Sequence, residues 1–364
     1  MKIAINFLPL LHFGGTKRYA ELILEEIIYR RLYTNFFFIF PESIRKNIPE
    51  IMHRNSIFLP IENSLMKVVA EQIIIPRLLL NKKIKLLHQL SFSYPFMLKD
   101  KVKILTTIHD LTFIKYPDTI PFYKRFYFKK NFSFAIENSN YIIADTLSIK
   151  KEIMKFFNRS EQKIFVVPLG IGRKFKQVKE KKPKDFYIEK YFLSVGTIEP
   201  RKNYELLLEW WNKFMSKHPQ NIHLVIVGKK GWNYRKILVE MKKSLNVLYL
   251  GNISEENLKY LYKNSLGYIS LSKYEGFGLP VVEAAYFQKP LILSNIDVFS
   301  ELCGSDEYLI NNYESFEKVL LSCIKKEGFY KKLIEISHRI NENYDFSKGF
   351  DKLVNIYNKL IKSG

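Results

Sequence analysis

The chain has 364 residues, 47% of them hydrophobic and including 29 Phe and 23 Tyr. That is too much apolar material for disorder and too much length for one typical core, so two domains of roughly 150 to 200 residues and a cleft are expected. A formal charge of +22, from 58 Lys and Arg against 36 Asp and Glu, favours anionic partners: nucleic acid, acidic lipid head groups or a phosphorylated substrate. Cys303 and Cys323 show no metal spacing and are too few for a disulfide framework, which points to a reducing compartment. No apolar run approaches the roughly 20 residues that cross a bilayer.

In chain order, Lys2 to Leu8 reads as a buried strand, and Tyr19, Leu22, Ile23, Glu26, Ile27 and Arg30 mark one helical face between Thr16 and Tyr33. Gly14 and Gly15 lie between the two. A glycine pair there lets a phosphate approach the backbone, although an ordinary tight turn would use the same residues. Apolar runs at 36–40, 84–87, 102–108, 141–144 and 164–167 alternate with helical patterns such as 65–80 and 148–157, the signature of a mostly parallel sheet. His109 and Asp110 sit where one strand ends, the edge at which such sheets bind ligands; a histidine satisfied within its loop fits equally well. Phe122 to Lys130 interleaves aromatics with cations on a helix. Such a face suits an anionic membrane, while a solvated helix with an aromatic core stripe is the commoner explanation.

After Val167-Pro168-Leu169-Gly170 the lysine-rich stretch Arg173 to Asp185 reads as a linker. A second set of strands follows, at 191–195, 223–227, 247–250, 266–271 and 290–293, again alternating with helices. The organisation expected is an N-terminal Rossmann-like domain over 1–172, a linker over 173–188 and a C-terminal Rossmann-like domain over 189–345. A C-terminal helix over 346–364 could pack back on the N-terminal domain. Gly196 follows the first strand of the second set, and Arg201-Lys202 precedes Asn203, a helix-capping residue before Tyr204. A planar guanidinium beside a point-charge ammonium at a helix start suits a diphosphate. Gly228-Lys229-Lys230-Gly231-Trp232 closes the next strand with a flexible loop.

The stretch Tyr274 to Ala284 holds the densest pattern: Glu275-Gly276-Phe277-Gly278-Leu279-Pro280 between a strand and a helix, then Glu283. The eight-residue spacing of the two glutamates says nothing, because Glu42/Glu50 and Glu327/Glu335 repeat it. The glycine loop at a helix start and two carboxylates suit phosphate and sugar oxygens.

In that order these motifs resemble the retaining glycosyltransferases of the GT-B fold, an α/β architecture of two Rossmann-like domains facing each other across a cleft. The resemblance runs nearly the whole length and is nearest to mannosyltransferase-like enzymes of bacterial surface polysaccharide synthesis (glycosyltransferase family 4, group 1). It implies that Arg201 and Lys202 bind the donor diphosphate with Gly196, Gly228 and Lys229 around them. It further implies that Glu283 holds the ribose and Glu275 the transferred sugar, with the amides of Gly276, Phe277, Gly278 and Leu279 beside the sugar or distal phosphate. Gly14 and Gly15 would close over the diphosphate, and His109 would meet the sugar near its hydroxymethyl group. His109, Arg201, Lys202 and Glu275 are then the catalytic residues. Asp145, where a serine is more usual, and the run Asn295 to Glu301 depart from the family pattern.

No Asp-X-Asp motif is present, so the expected reaction needs no metal and no cofactor beyond a nucleotide-sugar donor. GDP-mannose is the first choice of donor, UDP- and dTDP-sugars the alternatives, with a lipid-linked or oligosaccharide acceptor. The expected location is the cytoplasm or the inner face of the cytoplasmic membrane. A sugar-nucleotide epimerase on the same fold is a second reading. A nucleic-acid-binding protein is a third, disfavoured because no standard binding motif accompanies the charge.

Overall fold

The computed structural model describes residues 3–11, 14–117 and 122–362. Its contacts divide the chain into two compact units, one of residues 1–115, 122–173 and 346–364 and the other of 116–121 and 174–345. Each is an α/β layer structure around a fully parallel sheet. Among the described residues no helix is long and apolar enough to cross a membrane. The helix Phe122–Asn138 contains the aromatic and cationic stretch Phe122 to Lys130, but the side chains of 122–129 lie outside the described residues, and the lipid-facing expectation for them with it.

The first unit holds β1 (Ile3–Asn6), β2 (Phe36–Pro41), β3 (Ser56–Leu59), β4 (Leu86–Gln89), β5 (Lys103–Ile108), β6 (Tyr141–Ala144) and β7 (Ile164–Val166), in the order β3-β2-β1-β4-β5-β6-β7. Helices cover both faces of such a sheet, so its central strands are buried throughout: every residue of β1, β2 and β4 is buried, Asn6, His88 and Gln89 among them. Rings reinforce the layer, with Phe7 stacked on Phe40 at 5.0 Å and Phe38 on Phe40 at 5.7 Å. β3 is a strand the sequence pattern does not announce. It is a four-residue edge strand, partly exposed over its first three positions, and too short to show a period.

The helix Gly15–Tyr29 buries Tyr19, Leu22, Ile23 and Ile27 as its period requires, and also Glu26. That carboxylate is compensated by Arg30 and Arg173, each with Nε at 2.7 Å. The C-terminal helix Phe346–Lys362 belongs to this unit. It buries Phe350, Leu353, Tyr357 and Leu360, and its Asp351 pairs with Arg30.

The second unit holds β8 (Tyr191–Val195), β9 (His223–Val227), β10 (Val247–Gly251), β11 (Gly267–Ser270) and β12 (Leu291–Leu293), in the order β10-β9-β8-β11-β12. Its core gathers around Trp211, Phe214 and Phe316. The lysine-rich segment opens with a short helix, Arg173–Gln177, whose Phe175 is buried; Lys259 Nζ donates to the carbonyls of Phe175 and Val178 at 2.8 and 2.5 Å.

Both sheets reverse direction of strand order once, between β1 and β4 in the first and between β8 and β11 in the second. Parallel α/β sheets open a crevice at that point, beyond the carboxyl ends of the strands.

Candidate functional site

In the second unit the reversal brings together residues more than 70 positions apart. Arg201 and Lys202 lie on a 3₁₀ turn, Pro200–Lys202, shortly after β8, while Glu275 follows β11, the neighbour of β8. Arg201 Nε donates to Glu199 Oε1 at 3.0 Å, and its Nη1 donates to the Tyr274 carbonyl at 2.7 Å and to Glu275 Oε2 at 3.1 Å. Lys202 Nζ lies 2.5 Å from Glu275 Oε1, which also accepts from Ser272 Oγ at 2.7 Å. Two cations and two carboxylates thus cancel in one largely buried cluster. Burial opposes the charge on Glu275, but Lys202 and Arg201 overcome it and hold the carboxyl at about 2. At neutral pH Glu275 is therefore an acceptor only, unable to give up a proton.

The surrounding loops are tied to one another by backbone. Gly196 N donates to Val227 O at 2.9 Å, Ile198 N to Lys229 O at 2.9 Å and Gly228 N to Gly251 O at 2.8 Å. At Gly228 φ is 156°, and a Cβ would stand 1.9 Å from the Gly196 carbonyl oxygen, so only glycine lets the loops after β8 and β9 approach. Burial lowers the Lys229 ammonium, with Glu199 pulling the other way. Asn203 stands at the N-cap of Tyr204–Lys217 as the pattern requires, but in a left-handed conformation and without a side-chain capping bond. It also closes the short turn before the helix, its N–H donating to the Pro200 carbonyl at 3.0 Å.

Gly276, Phe277, Gly278 and Leu279 lead into the helix Leu279–Tyr286, with Gly278 as N-cap. Phe277 is buried with its ring edge-on to Tyr344 at 5.6 Å, so only its backbone is left for a ligand. Glu283, one turn into the helix and half-buried, accepts from Tyr262 Oη at 2.9 Å.

In the first unit Gly14, with φ 84°, precedes the helix that starts at Gly15, and a Cβ at either position would meet nothing within 4 Å. The left-handed backbone, not crowding, is what calls for glycine at Gly14. Asn6 at the end of β1 donates to Gln89 Oε1 at the end of β4 at 2.7 Å, across the strand reversal. His109 follows β5 and Asp145 follows β6, its neighbour. His109 Nδ1 is 2.8 Å from Asp145 Oδ2, and Nε2 is 3.1 Å from the Leu90 carbonyl. Both partners are acceptors, so both ring nitrogens donate and His109 is an imidazolium. Burial opposes that charge, and Asp145 more than offsets it, raising the His109 pKa above its ordinary value. Burial raises Asp145 in turn; its Oδ1 is buried without a hydrogen-bond partner.

Behind His109 lies a buried chain of hydroxyls and a second imidazole. Tyr19 packs edge-on to His109 at 4.9 Å and accepts from Thr107 Oγ1 at 3.3 Å. His88 Nε2 meets Thr107 at 2.8 Å and its Nδ1 meets Tyr357 Oη at 2.5 Å. Thr107 spends its proton on Tyr19, so it accepts from His88 Nε2–H, and Nδ1 accepts from Tyr357. Burial and the nearby His109 push His88 down to about 3, in keeping with that neutral tautomer.

The structure thus brings Arg201, Lys202 and Glu275 into direct contact, with Gly196, Gly228 and Lys229 in the tied loops beside them. Sequence reasoning gave no role to Glu199, Ser272, Asp145 or His88. Glu199 and Ser272 stand two and three residues before Arg201 and Glu275, a spacing that carries no signal until β8 and β11 are known to be neighbours.

Residues 173–340 match the family described as Glycosyl transferases group 1. Over 243 residues the chain is 28% identical to the O-antigen chain mannosyltransferase RfbU of Salmonella typhimurium, covering 66% of this chain and 65% of that one. Over 229 residues it is 26% identical to O-antigen chain mannosyltransferase B of Escherichia coli, covering 60% and 58%. Each match therefore spans less than two thirds of the relative's own length. Among solved structures, sucrose-phosphate synthase from Thermosynechococcus elongatus superposes with a TM-score of 0.75 at 17% identity, over 100% of this chain and 99% of that one. A likeness at that identity carries the fold, which is GT-B.

Proposed function

From a Glycosyl transferases group 1 domain at residues 173–340, in a chain with the GT-B fold, we propose that this protein is a retaining, metal-independent hexosyltransferase. It moves mannose from GDP-mannose to a lipid-linked or growing surface-polysaccharide acceptor at the cytoplasmic face of the membrane. The observation that carries this reading is the Arg201–Lys202–Glu275 cluster at the strand reversal of the second sheet. The mannose assignment is supported by the two mannosyltransferase relatives.

Without ligand the cluster is neutral, each cation answered by a carboxylate. An arriving diphosphate brings oxygens that compete for the guanidinium fork and the ammonium, and charge-assisted bonds to phosphate replace those to Glu199 and Glu275. Glu275, still ionised, then has free lone pairs for the hydroxyls of the transferred sugar. As the glycosidic bond breaks, charge builds on the diphosphate, and the two cations stabilise it more in the transition state than in the ground state. They supply what a divalent cation would otherwise supply. The acceptor attacks on the face the diphosphate leaves, and its proton passes to that leaving group. The first unit takes the acceptor.

A thermal-shift series with GDP-mannose, UDP-glucose, UDP-N-acetylglucosamine and dTDP-rhamnose tests the reading, because a ligand that binds only the folded state raises the melting temperature. GDP-mannose should stabilise most, the Arg201→Ala protein should lose the shift, and chelator-treated protein should keep both shift and turnover. Stabilisation by none of the four would overturn the assignment.

A further inference from the structure

The first unit exposes apolar side chains where one helical segment meets a neighbouring turn. Leu65, 73% exposed, is followed by Val69, Ile73 and Ile74, all more than 40% exposed, along the helix Ser64–Val69, a π-helical turn Ala70–Ile74 and the helix Ile75–Asn81. Positions four apart in an α-helix drift by about 40° at each step. The wider π turn corrects that drift and returns Ile73 to the line of Leu65 and Val69.

Beside this line stands the 3₁₀ turn Phe96–Leu98, whose Phe96 and Met97 are also exposed. Gln72 locks the two together, donating to the Tyr94 carbonyl at 2.9 Å and accepting from Phe96 N at 3.1 Å. Phe96 rests on Phe134 at 4.5 Å, and Ser93 Oγ donates to the buried Glu71 at 2.9 Å. The apolar side chains are therefore held outward by a fixed frame. Exposed cations lie on the same elements and just beyond them: Arg77, one turn beyond Ile73, Lys82 and Lys83 after the helix end, and Lys99 and Lys101 after the 3₁₀ turn, against Glu62 and Asp100.

We infer that this surface docks the protein on an anionic lipid bilayer. Apolar side chains at a rigid edge enter the boundary between head groups and acyl chains, and these cations meet acidic head groups. A second copy is the poorer occupant, since a two-fold contact would set the same cations against one another in a chain of net charge +22. The inference takes its biological sense from the proposed lipid-linked acceptor, which such docking would hold beside the acceptor unit.

Vesicle flotation at low salt tests it without measuring turnover. The full chain should float with phosphatidylcholine vesicles containing phosphatidylglycerol and stay behind with phosphatidylcholine alone. A triple variant, Leu65→Ser, Ile73→Ser and Phe96→Ser, should lower vesicle affinity by about tenfold or more, and Arg77→Glu with Lys99→Glu by a similar factor. Both variants should keep the wild-type melting temperature and nucleotide-sugar shift. A wild-type chain that floats with neither vesicle overturns the inference, as does a triple variant that floats like wild type. A concentration-dependent dimer broken by the triple variant, with no vesicle binding, assigns the surface to self-association instead. A chain that floats but transfers no sugar leaves the surface standing and overturns the transferase reading.

Discussion

At the ends of β8 and β11, Glu199, Arg201, Lys202 and Glu275 place four full charges in mutual contact and cancel them, whereas at the ends of β5 and β6 a single pair, His109 and Asp145, leaves one carboxylate oxygen unpartnered. The two sheets reverse strand order in the same way, so topology does not make the difference. Chemistry does. A cluster of opposed charges answers a ligand that is itself charged, and Glu275 within it stays ionised through the neutral range. An imidazolium held by one carboxylate titrates above the ordinary histidine range and can respond to pH.

The comparison breaks most sharply at Arg201. On the proposed mechanism Arg201→Ala removes one of the two cations that meet the diphosphate, and it leaves Glu199 without its guanidinium. We expect kcat/KM to fall by about 10²–10³, with secondary structure retained by circular dichroism. Arg201→Lys should recover only part of the loss, since a point charge cannot bridge Glu199, the Tyr274 carbonyl and Glu275 together. A variant with wild-type kcat/KM would remove the cluster from the mechanism.

The two sites should also separate on the pH axis. Glu275 is depressed to about 2 from an ordinary value near 4.5, so the stability it contributes is complete above pH 4.5 and is lost as pH falls toward 2. The full difference is about 3 kcal/mol, an upper bound that Glu275→Gln should abolish in denaturant midpoints measured from pH 7 to pH 3. His109 is raised, so its contribution is complete below about pH 6.5 and is lost as pH rises through the folded value. One site should thus govern the acid limb of stability and the other the alkaline limb.

Asp145→Asn sharpens the first-unit half of the contrast. His109 faces Asp145, the Leu90 carbonyl, the neighbouring Asp110, the Tyr19 ring and, further back, the neutral His88. Losing the Asp145 charge should lower the imidazolium pKa toward its ordinary value and move the alkaline limb of the kcat/KM profile down with it. At neutral pH kcat/KM should therefore fall. A change in melting temperature with an unmoved limb would reduce Asp145 to a structural residue.

How much of this could be read from the chain depends on whether a signal is local. Arg201-Lys202 before Tyr204–Lys217, and Glu275 within a glycine loop before Leu279–Tyr286, are local patterns, and the structure places both where the patterns put them. The bonds between them are not local, because they follow from β11 lying beside β8, an adjacency of strands 75 residues apart in register. Two carboxylates read as separate sugar contacts therefore prove different in kind. Glu275 is saturated by cations and Ser272, while Glu283 accepts from a tyrosine. Asp145 stood out only as a residue where serine is usual; its pairing with His109 needed the β5–β6 neighbourhood. The Leu65–Leu80 period was legible, but not the π turn within it, since hydrophobic spacing tolerates one extra residue per turn.

Gly228→Ala tests whether the second-unit cluster depends on close backbone approach. The added Cβ would have to push away a carbonyl oxygen 1.9 Å distant, which displaces the loop after β8 that leads to Arg201. A loss of about 1–3 kcal/mol is expected in a denaturant melt, together with a weaker nucleotide-sugar shift. A melt like wild type would mean that the loops move apart freely.

The smallest effect belongs to Tyr357→Phe, and it is informative because it is remote. Tyr357 gives its proton to His88 Nδ1 from the C-terminal helix, and His88 leads through Thr107 to Tyr19, whose ring borders His109. Removing the hydroxyl leaves a buried imidazole nitrogen unsatisfied and should cost about 1–2 kcal/mol, read as a shift in denaturant midpoint. The bonds to His109 itself come from Asp145 and Leu90, neither of which belongs to this chain of groups. The kcat/KM profile should therefore keep its alkaline limb. A moved limb would show that the buried hydroxyls set the charge on His109 and that the C-terminal helix takes part in tuning the site.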